Sequence, residues 1–300
     1  MPWFKGNLHT HTDLSDGDSP PEVVARWYDD AGYDFLCISD HNIRFDPALL
    51  QSELSAEGRR LHLLPGEELT TWWEGEERTY ALHVNGYGTN TTLGENGGDS
   101  VSGVLQGLID RIADDGGMAS VNHPNFWSSV GWKDLAALRR LHFFEVYNGH
   151  PLSFNEGTED LLSMDTIWDL LLMQGQQVLG LAVDDAHYFT QWGAEFSNPG
   201  RGWVMVEAEE KSAAALIGSL GAGRFYASNG PELAAVEVRR GESLRVFAQG
   251  PSIIEFIADG EVVDRIEGDE GVCRLGPASY LRARVGDTSG TAWVQPLLAG

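Results

Sequence analysis

The sequence predicts an α/β domain followed by a small all-β domain. Short apolar runs alternate with helical patterns as far as about residue 225, and helical spacing stops after Gly230 and Pro231. Short apolar runs are typical of parallel strands that are covered on both faces. Alternation of strands and helices over this length favours an α/β barrel. We therefore expect a barrel in residues 1–228 and a β-sandwich-like domain in residues 229–300.

The barrel domain holds a succession of predicted strands with helices between them. Its strand candidates are residues 3–11, 34–41, 62–69, 81–87, 118–123, 143–148, 178–184 and 202–208. Ser19 is predicted to cap a helix that has proline in its first turn. Apolar residues recur at helical spacing over residues 101–112 and 167–172, and Ser212 is predicted to start an alanine-rich helix.

The last part of the chain changes in character. Its strand candidates are residues 234–239, 244–248, 253–258, 280–285 and 292–295, joined by turns. This segment has no histidine, and its carboxylates lie mostly near turns. We therefore expect it to contribute no catalytic residue, and we expect the strand that contains Trp293 to pack it against the barrel.

The composition restricts the possible partners. The formal net charge is -25 at pH 7, so polyanions such as DNA and anionic membranes should be repelled. No apolar run approaches the roughly 20 residues that span a bilayer, and the first residues show no signal-peptide pattern. Cys37, in an apolar strand candidate, and Cys273 give no disulfide framework, which predicts a reducing, cytoplasmic setting. The oligomeric state stays open.

Candidate metal ligands lie at or near the ends of successive predicted strands. His9 and His11 are two residues apart on a strand, so both imidazoles point to one face and can reach one ion. The C-terminal edge of the strands is where α/β barrels assemble active sites. Six of the nine histidines belong to this group. We call the whole group the ligand set: His9, His11, Asp16, His41, Glu68, His83, His123, Asp185 and His187.

These motifs resemble those of the polymerase and histidinol phosphatase (PHP) superfamily, over roughly residues 3–226. Further segments are similar to the CehA/McbA-like branch of that superfamily: residues 146–149, 168–169, 223–228 and 292–296. The resemblance implies a distorted seven-stranded (β/α) barrel of the PHP type, joined to a small C-terminal β domain. It also implies that Glu68, two residues after Gly66 as in the family's Gly-x-Glu motif, is a ligand and that Glu67 is not.

The resemblance further implies metal ions at three positions. The implied ligands of the first ion are His9, His11, Glu68 and Asp185. Those of the second are the bridging Glu68, His83 and His123. Those of the third are Asp16, His41 and His187. Imidazole suits zinc, iron and manganese, and carboxylates bridge such ions. We expect two or three divalent transition-metal ions as cofactors.

The expected function is that of a metal-dependent phosphoesterase that attacks small phosphate esters with a metal-bridging hydroxide. Three divalent ions carry more charge than the ligand carboxylates return, so the pocket should be cationic. Such a pocket selects a small anion rather than a nucleic acid polymer. Two alternatives stay open: hydrolysis of a carbamate, ester or amide on the same metal centre, and a non-catalytic metal-binding domain.

A few residues outside the ligand set are also candidates for the site. Asp40 is expected to orient a ligand histidine. Arg44 and Arg201 can offer a planar, bidentate guanidinium to phosphate oxygens, and at least one of them should face the substrate. Asp184 either orients a histidine or has no role, and His150 either lines the cleft or is an ordinary surface residue.

Overall fold

The structure is a computed structural model that describes residues 1–76, 78–94 and 97–299. It has the mixed α/β architecture that the sequence predicts. The strands before the last β segment are β1 (Trp3–Asn7), β2 (Phe35–Cys37), β3 (His62–Leu64), β4 (Gly66–Glu74), β5 (Thr79–Tyr87), β6 (Met118–Val121), β7 (Leu141–Asn148), β8 (Leu179–Val183) and β9 (Trp203–Glu207). The helices are α1 (Pro21–Asp30), α2 (Ala48–Ala56), α3 (Val101–Asp114), α4 (Trp132–Ala136), α5 (Met164–Met173) and α6 (Ala213–Gly221), with a 3-10 turn at Phe126–Ser128.

The strands form two sheets rather than one continuous parallel ladder. Strands β1, β2 and β3 are parallel, as are β6, β7 and β8, but β4, β5 and β6 are antiparallel, and β9 is antiparallel to β1. The apolar runs alone suggested parallel strands, but β4 and β5 are joined by a short hairpin, which only antiparallel strands can use. The predicted strand 62–69 is also divided, because Pro65 has no N–H for the ladder.

Isolated bridges join the two sheets near one edge. Thr10 bridges Ala186, His41 bridges Glu68, and Phe45 bridges Gly66. These contacts bring together the chain segments that leave β1, β2 and β8 and the beginning of β4. Most of the ligand candidates lie on these segments, whereas His83 lies on β5 and His123 follows β6.

The helices place their apolar faces against the sheets. Ser100 caps α3 and Ser212 caps α6, each by accepting a backbone N–H bond. The predicted cap at Ser19 is wrong: α1 begins after Pro20 with no side-chain cap from a described residue, and Ser19 Oγ donates to Asp18 Oδ1 instead. A proline in the first turn already fixes a helical φ, so this helix begins without a cap. No helix in the described part of the chain is both long and apolar enough to cross a membrane.

The C-terminal strands extend the sheet that contains β1. They are β10 (Phe225–Ser228), β11 (Leu233–Arg239), β12 (Ser243–Ala258), β13 (Glu261–Arg274), β14 (Tyr280–Asp287) and β15 (Gly290–Leu298). Strand β10 pairs with both β9 and β15, so the ladder continues across residue 228. The division into two domains therefore stays a prediction.

Two features of the C-terminal strands differ from the sequence prediction. The candidates 244–248 and 253–258 are parts of one strand, β12, whose register shifts between Phe247 and Ser252. Strand β13 has no predicted counterpart because its side chains are mostly exposed, so it shows no apolar run. A strand of this kind is held by backbone pairing, here with β12.

Polar contacts fix the C-terminal strands to the preceding α/β part of the chain. Arg282 is buried, and its guanidinium makes two 2.7 Å bonds to Asp169 on α5. The Gln295 amide makes 2.9 Å bonds to both the N–H and the C=O of Gly180 on β8. Trp293 is buried and lies against Tyr147, with ring centroids 5.8 Å apart. The strand that contains Trp293 therefore packs against β7.

The Asp169–Arg282 pair should be a major contribution to stability. We expect Asp169→Ala to lower the free energy of unfolding by about 3 kcal/mol, because it leaves a buried guanidinium without its best partner. Urea unfolding measures the loss. Glu270→Ala is the matched control, since it removes a carboxylate from the exposed pair with Arg245 and should change stability little. Equal losses in the two variants would contradict a buried, structural pair.

Candidate metal centre

His9 and His11 form the floor of the site. Both are fully buried, and their Nε2 atoms lie 3.1 Å apart. They follow the end of β1, where alternation directs side chains two residues apart to the same face. At this distance the two nitrogens can share one hydrogen bond, or both can face one cation.

Glu68 lies at the centre of the site. Its Oε2 is 3.4 Å from His9 Nε2, 3.2 Å from His11 Nε2 and 2.9 Å from His41 Nδ1. Its Oε1 is 3.0 Å from His83 Nδ1. Glu67 points away and accepts a bond from the Leu93 N–H. The structure therefore brings Glu68, and not Glu67, to the histidines, as strand alternation requires.

Asp185 closes the group around the first two histidines. Its Oδ1 is 3.2 Å from His9 Nε2 and 3.3 Å from His11 Nε2. The backbone N–H of Asp185 donates to the His9 carbonyl. This bond aligns the segment after β8 with the segment after β1, so the carboxylate meets the imidazoles.

A second group lies towards solvent. The Asp16 carboxylate is 3.4 Å from both His41 Nε2 and His187 Nε2, and 3.5 Å from His11 Nδ1. The His41 and His187 side chains are partly exposed, and Asp16 is exposed. This open side gives a ligand a route to the buried groups.

His83 and His123 complete the ligand set. His83 lies in the middle of the antiparallel strand β5. The strand candidate 81–87 already contained it, although ligands were expected at or near strand ends. His123 follows β6, and its Nε2 is 3.7 Å from both Glu68 Oε1 and Asp185 Oδ2. Every member of the predicted set therefore lies in one connected cluster.

The structure groups these residues somewhat differently from the three sets of metal ligands that the family resemblance implies. Sets with donor atoms close enough to share an ion are His11–Asp16–His41–His187, His9–His11–Asp185 and His41–Glu68–His83. His11 and His41 thus each belong to two sets. The assignment of each side chain to one of three ions remains a proposal.

Left-handed backbone conformations coincide with the site. His123 has a φ of 24°, Asp185 of 51° and Asn42, next to His41, of 55°. Such values are unusual for residues with a Cβ and cost of order 1–3 kcal/mol each. The surrounding structure imposes them where the chain must turn to present a ligand.

The donor chemistry fits transition-metal ions. Glu68 Oε2 and His83 Nε2 are buried, yet neither forms a hydrogen bond of acceptable geometry with any residue in the described ranges. A buried carboxylate oxygen without a hydrogen bond is costly unless nearby positive charge compensates it. A set of imidazole and carboxylate donors around such atoms is the chemistry that zinc, iron and manganese prefer.

The imidazoles and carboxylates of the site shift each other's pKa values towards the charged forms. Burial would lower the pKa of the His9 imidazole, but Asp185, Glu68 and Glu145 outweigh burial and raise it well above its usual range. Burial would likewise raise the pKa of Glu68, but His41, His9 and His83 hold it well below its usual range. Metal ions would replace the imidazole protons and supply the same compensation, so metal binding should release protons.

Sequence reasoning missed Glu145 and Asn148, which form a supporting layer. Glu145 is fully buried on β7, with Oε1 2.6 Å from His9 Nδ1 and Oε2 accepting from the His123 N–H. Asn148 Nδ2 donates to Glu145 and to Asp185. The sequence did offer one signal for Glu145, because it lies inside an apolar strand candidate. A carboxylate buried in this way needs a partner, which indicates a role in the site.

The candidates outside the ligand set hold loops in place. Asp40 is buried and accepts bonds from the Thr12 N–H, the Thr12 hydroxyl and the Ser15 hydroxyl, so it orders the loop that carries Asp16. Asp184 accepts backbone N–H bonds from Gly200, Arg201 and Gly202. Asp184 therefore holds the backbone before β9 in place, whereas the sequence analysis expected it either to orient a histidine or to have no role.

The two arginines contact backbone carbonyls. Arg44 Nε donates to Thr89 O, and Arg201 donates to Gly149 O and Gly193 O. Their proposed contact with substrate stays a prediction. His150 lies near the ligand set, with its ring 6.0 Å from that of His187.

Comparison with known proteins supports the fold and the class of site. No protein-family model matches the chain. It is 34% identical over 86 residues to the 5'-3' exoribonuclease Rnm of Escherichia coli and 34% identical over 80 residues to that of Salmonella typhimurium. The matched segments span 29% and 27% of the chain, but only 28% and 26% of those relatives.

One solved structure is similar over nearly the whole chain. It is a two-domain protein of Bacteroides vulgatus that contains a predicted PHP-like metal-dependent phosphoesterase, with a TM-score of 0.56 and 15% identity. The match covers 96% of this chain and 91% of that one. At this identity the likeness shows the fold, and together with the histidine and carboxylate clusters it supports a metal-dependent hydrolase.

Metal content should depend on Glu68 and not on its neighbour. We expect the purified protein to hold about two to three transition-metal ions per chain, because the ligand set exceeds the needs of one tetrahedral site. Glu68→Gln should lose at least one ion, since it removes the central charge while keeping the shape. Glu67→Gln is the matched control and should keep them all. Elemental analysis decides, and fewer than about one ion in the wild type after metal-supplemented expression would contradict the assignment.

Proposed function

We propose that this chain is a metal-dependent phosphoesterase that hydrolyses small phosphate esters. The observation that carries the proposal is the convergence of the buried Glu68 and Asp185 carboxylates with His9 and His11. The ligand set would hold two or three divalent ions. Bound ions activate water and neutralise charge on phosphate oxygens.

The protein's own residues prepare the site for this chemistry. Glu145 fixes the ring orientation of His9 through Nδ1, and Thr70 Oγ1 lies 2.6 Å from His41 Nδ1. Contacts of this kind set the tautomer, so the other ring nitrogen is presented as a ligand. Asp40 keeps the Asp16 loop in place. These residues position ligands and do not themselves react.

Charge favours a small anionic substrate. With a net charge of -25, the protein surface repels polyanions, whereas divalent ions would outweigh the carboxylates Asp16, Glu68 and Asp185 locally. The exoribonuclease relatives make RNA a second candidate substrate. An RNA substrate would need a cationic path for its backbone, and the chain has 20 basic against 45 acidic residues.

The finer architectural expectations belong to this proposal. We propose that the two bridged sheets form the distorted seven-stranded barrel of the PHP superfamily, with residues 229–300 as a separate β domain. Membership of the CehA/McbA-like branch is proposed on the residues that resemble it. Because that branch includes carbamate hydrolases, hydrolysis of a carbamate or neutral ester is the rival activity. Arg44 and Arg201 remain the proposed cationic contacts of a phosphate.

A substrate panel with one leaving group tests the proposal. The metal-supplemented protein is assayed with 4-nitrophenyl phosphate, 4-nitrophenyl acetate and a 4-nitrophenyl carbamate. We expect kcat/KM, divided by the uncatalysed rate, to be highest for the phosphate by about tenfold or more, equivalent to about 1.4 kcal/mol. Chelation should abolish the activity, and added manganese, zinc or iron should restore it.

The same panel separates the alternatives. Preference for the acetate or the carbamate would favour the rival activity. Faster shortening of a 5'-phosphorylated oligoribonucleotide than release of phosphate from a mononucleotide would favour RNA. Turnover of none of these with ions bound would indicate a non-catalytic metal-binding domain.

A further inference from the structure

Two half-exposed tryptophans lie beside the ligand set. Trp72 and Trp127 are 55% and 54% exposed, and their ring centroids are 6.0 Å apart. Tryptophan gains more than most residues from burial, so two neighbouring exposed rings are unfavourable in an isolated protein. The pair is therefore available to a flat, apolar group.

A chain of aromatic contacts connects Trp127 with the site. The Phe126 ring lies 5.0 Å from the His123 ring and 6.4 Å from the His83 ring. Phe126 and Trp127 are stacked, with centroids 5.3 Å apart and an angle of 10° between their planes. Trp127 is thus two ring contacts from a metal-ligand candidate.

Trp72 reaches the same region from strand β4. Glu68, Thr70 and Trp72 alternate along one face of that strand, and Thr70 contacts His41. The neighbouring Trp73 faces the other way and packs against the hydrophobic core. The strand therefore presents the Trp72 ring on the side where Glu68 meets the histidines.

The position of Trp127 is fixed through its own backbone. The guanidinium of Arg78, the residue before β5, donates to the Trp127 carbonyl at 2.9 Å. Trp127 has a φ of 50°, in the left-handed region that residues with a Cβ rarely adopt. Strain of this kind persists where the surroundings impose it, and it often accompanies a binding function.

We propose that Trp72 and Trp127 bind a planar aromatic group on the leaving-group side of the substrate. This inference rests on the proposed phosphoesterase function, which places the phosphate group of the same substrate at the metal centre. The substrate class is then a phosphate ester of an aryl alcohol or of a nucleoside. Aryl rings and nucleobases both have a π face, so a tryptophan ring can stack on either of them.

The test compares aromatic and non-aromatic phosphate esters. The kcat/KM values of wild type, Trp72→Ala and Trp127→Ala are measured with 4-nitrophenyl phosphate, adenosine 5'-monophosphate and glycerol 1-phosphate. We expect the alanine variants to lose about tenfold or more on at least one aromatic ester, mostly through KM, and less than about twofold on glycerol phosphate. Loss on the aryl ester alone identifies an aryl source, and loss on the nucleotide alone identifies a nucleobase.

Two further variants control for folding and for exposure. Trp127→Phe keeps a ring at the strained position and should retain most of the discrimination. Trp192→Ala removes an equally exposed tryptophan, 56% exposed, whose ring lies 6.1 Å from Trp27. It should leave all three kcat/KM values unchanged. Equal losses on aromatic and non-aromatic esters in the Trp72 and Trp127 variants would overturn the inference while leaving the proposed function intact.

A binding measurement keeps the two proposals separable. Calorimetry of the metal-loaded protein with phenylphosphonate and methylphosphonate reports ring binding without hydrolysis. Trp72→Ala should raise the Kd of phenylphosphonate about tenfold and leave that of methylphosphonate unchanged. If wild type hydrolyses no phosphate ester, the proposed function fails, and this difference in Kd still decides whether the tryptophans bind a ring. Equal affinity changes for both phosphonates would contradict the inference.

Discussion

The burial of the Glu68 carboxylate among imidazoles is the interaction on which the rest of the site depends. Removing a carboxylate from water is costly unless positive charge surrounds it. His9, His11 and His41 approach one of its oxygens and His83 the other. The bridge between His41 and Glu68 also joins the two sheets at this point, so the same contact that compensates the charge aligns the strands.

The cluster needs a rigid frame, because two of its members, His123 and Asp185, occupy strained backbone conformations. Glu145 and Asn148 tie His9, His123 and Asp185 together from below. The C-terminal strands add support from outside: Gln295 holds Gly180 on β8, the strand that leads to Asp185. They can thus stabilise the site without contributing a ligand to it.

Much of this arrangement could be predicted from the sequence. The family motif selected Glu68 rather than Glu67, and the structure brings Glu68 to the histidines. The helical spacing over residues 101–112 correctly indicated α3. That spacing is local and follows directly from the geometry of a helix. The ligand set could be gathered because its members follow strands whose ends meet in space, even though no single motif is specific.

The rest depended on long-range contacts that a single sequence does not show. The apolar runs did not reveal that β4 and β5 pair antiparallel, and the exposed strand β13 carried no apolar signal. Ser19 had the residue type of a helix cap, but its hydroxyl bonds to Asp18. Asp184 has four donors from α1 and from the loop before β9, which its neighbours in sequence could not indicate.

Anomalous X-ray scattering from crystals of the metal-supplemented protein tests the metal centre most directly. Data collected on both sides of the zinc, iron and manganese absorption edges would locate and identify bound ions. We predict peaks within the cluster, with one beside His9, His11, Glu68 and Asp185. A fully ordered cluster without an anomalous peak, or ions bound only elsewhere on the protein, would contradict a metal-dependent hydrolase.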